Sequence, residues 1–256
     1  MIKLIASDLD GTLLQNGAQS LDPSIFPVIR KLHEKGILFV AASGRQYFNL
    51  RNLFSEVKDD ISYICENGAL YVHKDKLHIP HMIAPATVNR IIEEVHQRQD
   101  CDLTISCEDH MYIEARSQAF YHHMHDVIGN DIVRTDDLLT ITRPAMKMAI
   151  FNAQGIAPIA DHYKQQFGSE VTVVTSGNDW VDFIPKAVHK GAALEKIMEE
   201  MSITSGECMA FGDQWNDIEM LKLAGTSFAM ANAVPGISDY CTNRTDSVIR
   251  ELEKLL

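Results

Sequence analysis

The sequence predicts an α/β protein built on a parallel sheet and interrupted by an α+β insert. Three observations carry this. Near both ends of the chain, short apolar runs alternate with amphipathic segments, the rhythm of parallel strands joined by crossover helices. Polar motifs fall where those runs end, at Asp8 and Asp10, Ser43, Asn67 and Asp213. The stretch from about Met82 to Phe183 breaks the rhythm with short alternating strands, and Pro80, Pro85 and Pro185 bracket it. The expected division is therefore 1–81 with 186–256 as one domain and 82–185 as a second domain inserted into it.

The elements follow in order. Residues 2–7 (IKLIAS) are an apolar run ending at an acidic pair. A helix is expected over 22–35, because Ile25, Val28, Ile29 and Leu32 recur at helical spacing, Asp22 or Ser24 can cap it, and Gly36 ends it. ILFVAAS (37–43) is nearly continuous in apolar residues and suits a strand buried on both faces. Ser43 then opens a second helix over 46–55, and ISYIC (61–65) is a strand broken by Asn67-Gly68. In the insert, helices are expected at 87–98, 117–127 and 156–167, and strands at 102–106, 111–114, 145–151, 170–175 and 180–184. The first rhythm returns with a helix at 190–201, a strand at 207–213, a helix at 216–224 and a strand at 226–232.

Composition narrows the partners. The 256 residues are enough for a large core, and 46% apolar with 23% charged residues is ordinary for a globular chain. A formal charge of −12 argues against nucleic acid and against an anionic membrane, both of which need a basic surface. Any bound anion then needs local positive charge or a metal. MIKLIASD is not a signal peptide, and no apolar segment reaches the length of a membrane span. The five cysteines are scattered without a CxxC pair and read as buried free thiols in a reducing cytoplasm.

The chemistry lies at the strand ends. Side chains two apart on a strand share a face, so Asp8 and Asp10 can aim at one site if the extended geometry continues. Like charges this close repel and raise one of the two pKa values, which a stability argument alone would not select. Phosphoryl transfer can use such a pair: one carboxylate attacks phosphorus and the other moves a proton. Two carboxylates and a phosphate need a cation between them, and Mg²⁺ suits oxygen donors. GDQWND (212–217) supplies Asp213 and Asp217 as further acids. Ser43, with Gly44 behind it at a helix start, offers a hydroxyl and main-chain N–H groups to a phosphate. Lys190 begins the helix at KGAALEKI, where a cation opposes the macrodipole and so points to a separate task, neutralising a phosphate oxygen.

DLDGTLL, ASGR, HKGAAL and GDQWND, in that order, resemble the four motifs of the haloacid dehalogenase (HAD) superfamily. The insert between the second and third motifs looks like the type II (C2) cap of the Cof-like subfamily IIB. ASGRQYFNL and CENGAL are similar to its bacterial sugar-phosphate phosphatases. The resemblance covers essentially the whole chain and implies a Rossmann-like core that is a Mg²⁺-dependent phosphatase of small phosphorylated metabolites. A cap would close over the substrate and read its leaving group. Carried over by position, Asp8 is the nucleophile and Asp10 the general acid/base. The metal falls to the Asp8 carboxylate, the Asp10 main-chain carbonyl and Asp213, with Asp217 orienting metal-bound water; Ser43, Gly44 and Lys190 bind phosphate, and Asn216 helps place it or orders the loop. Arg45, Asn67 and Gly68 also match the subfamily.

Two other functions share these motifs. A phosphomutase or phosphotransferase would pass the phosphoryl group to a second alcohol, and a phosphometabolite sensor would bind without turnover. The sequence leaves open the ester and the oligomeric state; specificity is expected on loops near 107–112 and 176–182. Other features read as structural. His122 and His125 lie on a partly exposed helix face, and His73, His78 and His81 lie at the surface of a hairpin. The eleven methionines fill cores. Trp215 either packs or forms a loop tip.

Overall fold

A computed structural model describes residues 1–114, 116, 118–176 and 178–256. In chain order the first elements are β1 (Leu4–Asp8), α1 (Ile25–Glu34), β2 (Leu38–Ala42), α2 (Tyr47–Leu53), β3 (Ser62–Cys65), β4 (Leu70–His73) and β5 (Lys76–His78). Then come α3 (Pro85–His96), β6 (Asp102–Ser106), β7 (Met111–Ile113), α4 (Gln118–His122), β8 (Ile132–Arg134), β9 (Lys147–Phe151), α5 (Ala157–Phe167), β10 (Val171–Ser176) and β11 (Trp180–Pro185). The chain closes with α6 (Lys190–Met201), β12 (Cys208–Gly212), α7 (Ile218–Leu223), β13 (Thr226–Met230), β14 (Asn243–Thr245) and α8 (Val248–Glu253).

Two compact units result: Met1–His78 with His189–Leu256, and Ile79–Val188. The boundaries differ from the expected 82 and 185. Pro185 is not a linker residue but the last residue of β11, paired with Val171, and Pro80 lies inside the second unit.

The first unit holds an eight-stranded sheet in the order β14-β13-β12-β1-β2-β3-β4-β5. It is parallel from β14 to β3, and β4 and β5 run antiparallel at one edge. The apolar run that opens the chain becomes the central strand β1, buried at every position. Register brings the carboxyl ends together. Asp8 lies opposite Ala42, beside Ser43, and Ser7 lies opposite Phe211, beside Gly212 and Asp213. This is the sheet edge where ligands of open α/β folds bind.

Local differences from the expectations have local causes. Helix α1 starts at Ile25 because the Asp22 carboxylate accepts from the Ser24 N–H at 2.9 Å, closing a turn ahead of the helix, and neither side chain caps it. His73 is buried, not at the surface. It belongs to β4, an interior strand, and its Nδ1 lies 2.8 Å from Ser62 Oγ. Burial holds its pKa below the ordinary histidine value. His78 stacks on Tyr71 with ring centroids 4.6 Å apart, and His81 is exposed as expected.

The second unit holds a six-stranded sheet, β10-β11-β9-β6-β7-β8, antiparallel except for β7 beside β8. Its core gathers Ile91, Ile92 and Val95 of α3, Tyr163 and Phe167 of α5, and Leu103, Ile105, Met148, Ile150 and Phe183 of the sheet. A second cluster joins Met111 and Ile113 to Phe120 and Met124. Of the helix expected at 117–127, residue 117 lies outside the described residues, as does residue 177 of the loop at 176–182. The helix runs over 118–122 and widens into a π-helical turn at His123–Val127. His122 and His125 each pair with Asp126, at 2.5 and 2.6 Å, on an exposed face. All five thiols are free; Cys65, Cys101, Cys107 and Cys208 are buried, and burial pushes those of Cys107 and Cys208 up to about 12. Among the described residues no helix is long and apolar enough to cross a membrane.

Candidate active site

Asp8 is the last residue of β1 and is buried. Its Oδ1 accepts from Lys190 Nζ at 2.5 Å. Lys190 is the first residue of α6 and is fully buried, and its ammonium also donates to Asp217 Oδ1 at 2.6 Å. Asp217 closes the 3₁₀ turn Trp215–Asp217, and its Oδ2 accepts from the N–H groups of Asp213 and Gln214 at 2.9 and 3.0 Å. Asp213 follows β12, and its Oδ1 accepts from Thr12 Oγ1 at 2.9 Å. Asp8, Asp213 and Asp217 each place a carboxylate oxygen within 4.8 Å of the others. The misplaced cation at the start of α6 is thus explained by two buried acids that outweigh its clash with the helix dipole.

Other expected site residues lie around this cluster, not all as anticipated. The Asp10 carboxylate does not join Asp8. The strand stops at Asp8, and the chain turns back with Gly11 N–H donating to Leu14 O at 2.9 Å, so the two-residue alternation ends there. Asp10 instead faces Arg45, whose Nη2 lies 2.6 Å from its Oδ1, and its side chain is 54% exposed. Ser43 does not open a helix, since α2 starts at Tyr47. It is buried just past β2, with its N–H bonded to Ile64 O and its Oγ accepting from the Arg45 N–H at 3.2 Å. Gly44 lies against the Asn67 side chain, where a Cβ would stand 3.2 Å from Oδ1. Asn216 Nδ2 donates to that same Oδ1 at 3.0 Å, tying the 216 turn to the loop after β3. Glu66, Asn67 and Gly68 all have positive φ (49°, 58° and 100°), and a Cβ on Gly68 would stand 2.5 Å from His189 O, next to Lys190. Trp215 is 57% exposed on its turn. Thr12 and the Asn67–Asn216 bond were not anticipated; a hydroxyl two residues after Asp10 was the available signal for the first.

Charge is short of balance in this cluster. Burial, then the charge of Asp217, pushes the Asp8 carboxyl well above the usual range, and Lys190 only partly opposes this. Burial raises Asp213 also, against the pull of the Thr12 hydrogen bond. Burial works against the Lys190 ammonium, but Asp217 and Asp8 outweigh it and hold the lysine charged. Three buried hard-oxygen donors facing one ammonium fit a divalent cation such as Mg²⁺. Asp217 suits direct ligation least, because one of its oxygens holds the Lys190 ammonium at 2.6 Å and the other accepts from two main-chain N–H groups at 2.9 and 3.0 Å, whereas Asp213 Oδ2 has only a 3.4 Å contact from Gln214 Nε2. Clefts of about 400 and 390 Å³ lie on the second unit, lined by residues such as Thr87 and Glu170, and Asp100 and Phe120. They lack this convergence of acids, so the site is identified by chemistry and not by volume.

Residues 5–250 match the haloacid dehalogenase-like hydrolase family. The chain belongs to it. Among curated relatives, this hydrolase is 27% identical to the 5-amino-6-(5-phospho-D-ribitylamino)uracil phosphatase YbjI of Escherichia coli (strain K12), over 98% of this chain and 93% of the relative. It is 26% identical to the HMP-PP phosphatase of Yersinia enterocolitica, over 92% and 86%. A crystal structure from Eubacterium rectale superimposes with a TM-score of 0.88 at 27% identity, over 100% of this chain and 99% of the other. The hydrolase is an enzyme of the phosphatase type.

One glycine of the hydrolase tests the assembly directly. Gly11 has φ +93°, and a Cβ there would stand 2.2 Å from Asp213 Oδ2. Gly11→Ala combines a left-handed alanine, costing roughly 1–2 kcal/mol, with displacement of a buried carboxylate. We expect a lower denaturation midpoint in urea. An unchanged midpoint would show that the loop after β1 does not hold Asp213.

Proposed function

We propose that the chain is a Mg²⁺-dependent phosphatase of small phosphomonoesters, sugar phosphates foremost, working through a phospho-aspartyl intermediate on Asp8. The observation that carries this is the buried meeting of Asp8, Asp213 and Asp217 around Lys190 at the ends of the central strands. Asp8, Asp213 and the Asp10 carbonyl would hold the ion, and Asp217 fixes the Asp213–Gln214 main chain that presents Asp213. When bound, the ion neutralises charge so that a carboxylate and a phosphate can approach.

The Asp8 carboxylate attacks phosphorus, and the bond from phosphorus to the ester oxygen breaks. Asp10 gives that oxygen a proton, so the product leaves as an alcohol. Water then attacks phosphorus and Asp10 takes its proton. The bond from phosphorus to Asp8 breaks, returning the carboxylate and releasing inorganic phosphate. Lys190, the Ser43 hydroxyl and the Gly44 main chain steady the phosphoryl oxygens as charge redistributes. Asn216 orders the surrounding loops through Asn67.

The substrate partner is a small phosphorylated metabolite. The relative named for a 5-phospho-D-ribitylamino substrate supports an ester with a polyol-like leaving group. The deciding experiment is phosphate release from a panel of sugar, polyol and nucleoside phosphates, with Mg²⁺ and with EDTA. We expect turnover with Mg²⁺, loss with EDTA, recovery on adding Mg²⁺ back, and one phosphate per ester consumed. EDTA-resistant turnover sinks the metal assignment. Ester consumed without free phosphate indicates transfer to a second alcohol, and binding of every ester without turnover indicates a sensor.

A further inference from the structure

We infer that Arg45 is a positioning residue for the proton-transfer step, a fork that aims the Asp10 carboxylate. This rests on the reading of Asp10 as general acid/base. Arg45 Nε lies 2.9 Å from Asp10 Oδ2 and Nη2 lies 2.6 Å from Oδ1, a bidentate pair. The third guanidinium nitrogen, Nη1, donates to Asn49 Oδ1 at 3.1 Å, and Asn49 is buried in α2. The Arg45 main chain is held at both ends: its N–H donates to Ser43 Oγ at 3.2 Å, and its carbonyl accepts from the Glu66 N–H at 3.1 Å.

The partners are unequal in a way that suits this task. Arg45 is mostly covered, with a side chain 19% exposed, whereas that of Asp10 is 54% exposed on a turn outside the strand. Left alone, such a carboxylate would rotate among several wells. A planar fork on both oxygens selects one, which a lysine, as a point charge, cannot do. Each carboxylate oxygen keeps a further lone-pair direction beyond the one facing the guanidinium, so proton exchange stays open. An exposed ion pair adds little stability, about 0–1 kcal/mol, so stability alone is a weak reason for a bond anchored this thoroughly. Reach and alignment, in contrast, are what a general acid depends on.

The test compares phenyl phosphate with p-nitrophenyl phosphate, esters of similar size whose leaving groups differ in their need for a proton. The readout is kcat/KM, which covers attack by Asp8 and departure of the leaving group. For Arg45→Ala we expect the phenyl to p-nitrophenyl ratio of kcat/KM to fall by about tenfold or more. Arg45→Lys should fall between wild type and Arg45→Ala, and it carries the test if the alanine variant does not fold. In an Asp10→Asn background, Arg45→Ala should add no further change, because its effect runs through Asp10. An unchanged ratio overturns the inference, and so does a fall that persists in the Asp10→Asn background, which would mean that Arg45 touches the substrate. Failure of the underlying reading looks different: Asp10→Asn alone would then leave the ratio at its wild-type value.

Discussion

Asp8→Asn is expected to abolish turnover, with kcat for any phosphate ester falling by at least about 10⁴-fold. In the proposed mechanism Asp8 is the nucleophile; the asparagine amide matches its carboxylate in size but cannot attack phosphorus. Loss of activity should not reflect loss of fold. Burial and the charge of Asp217 already favour a neutral group at position 8, and an amide is neutral. Deletion of the charge leaves Lys190 its bond to Asp217. We therefore expect thermal unfolding of the variant within a few degrees of wild type, while phosphate release becomes undetectable. A variant hydrolysing p-nitrophenyl phosphate at the wild-type rate would remove Asp8 from the chemistry.

Lys190→Met should give the largest stability effect. The thioether keeps most of the packing at the start of α6 but leaves Asp8 and Asp217 buried without their shared cation. Removing one partner of a buried charge cluster costs about 3–5 kcal/mol. The pH dependence has a definite sign. The Asp8 pKa is already raised in the folded protein, and removing Lys190 removes a lowering influence, so it rises further. Where a folded carboxyl binds its proton more tightly than the unfolded one, stability falls as pH rises from the unfolded value, about 3.9 for aspartate. The penalty should thus be greatest at neutral pH and shrink on acidification. Chemical denaturation in EDTA at pH 5 and pH 7.5 measures this, and Lys190→Met with Asp217→Asn should recover part of the loss. A single variant as stable as wild type at pH 7.5 would mean that the ammonium does not hold the acids together.

What the sequence revealed here is mostly what would otherwise be an error in it. Asp8 and Asp213 end apolar runs, and Lys190 sits at the wrong pole of its helix; each is costly without a partner, and each found one. Strands β1, β2 and β12 were legible because central parallel strands are apolar on both faces. The misses depend on contacts made across the chain. The direction of Asp10 is set by a tight turn and by an arginine 35 residues away. The placement of Ser43 reflects strand pairing with β3, and the burial of His73 reflects the later strand β5 and an interior position in the sheet. Strands β8 and β14, three residues each and largely uncovered, show neither a buried run nor a period of two, unlike the equally short β7 with Met111 and Ile113 buried.

The division of the first unit between residues 1–78 and 189–256 has a consequence for biosynthesis. Strand β1 leaves the ribosome first, yet its neighbour β12 begins some 200 residues later, at Cys208. The whole of the second unit emerges in between and can collapse as a body of its own. The strand destined for the middle of the sheet must wait with one side unpaired, and Asp8 stays hydrated until Lys190 is translated. Closure of the sheet on both sides of β1 thus waits for the segment that begins at His189.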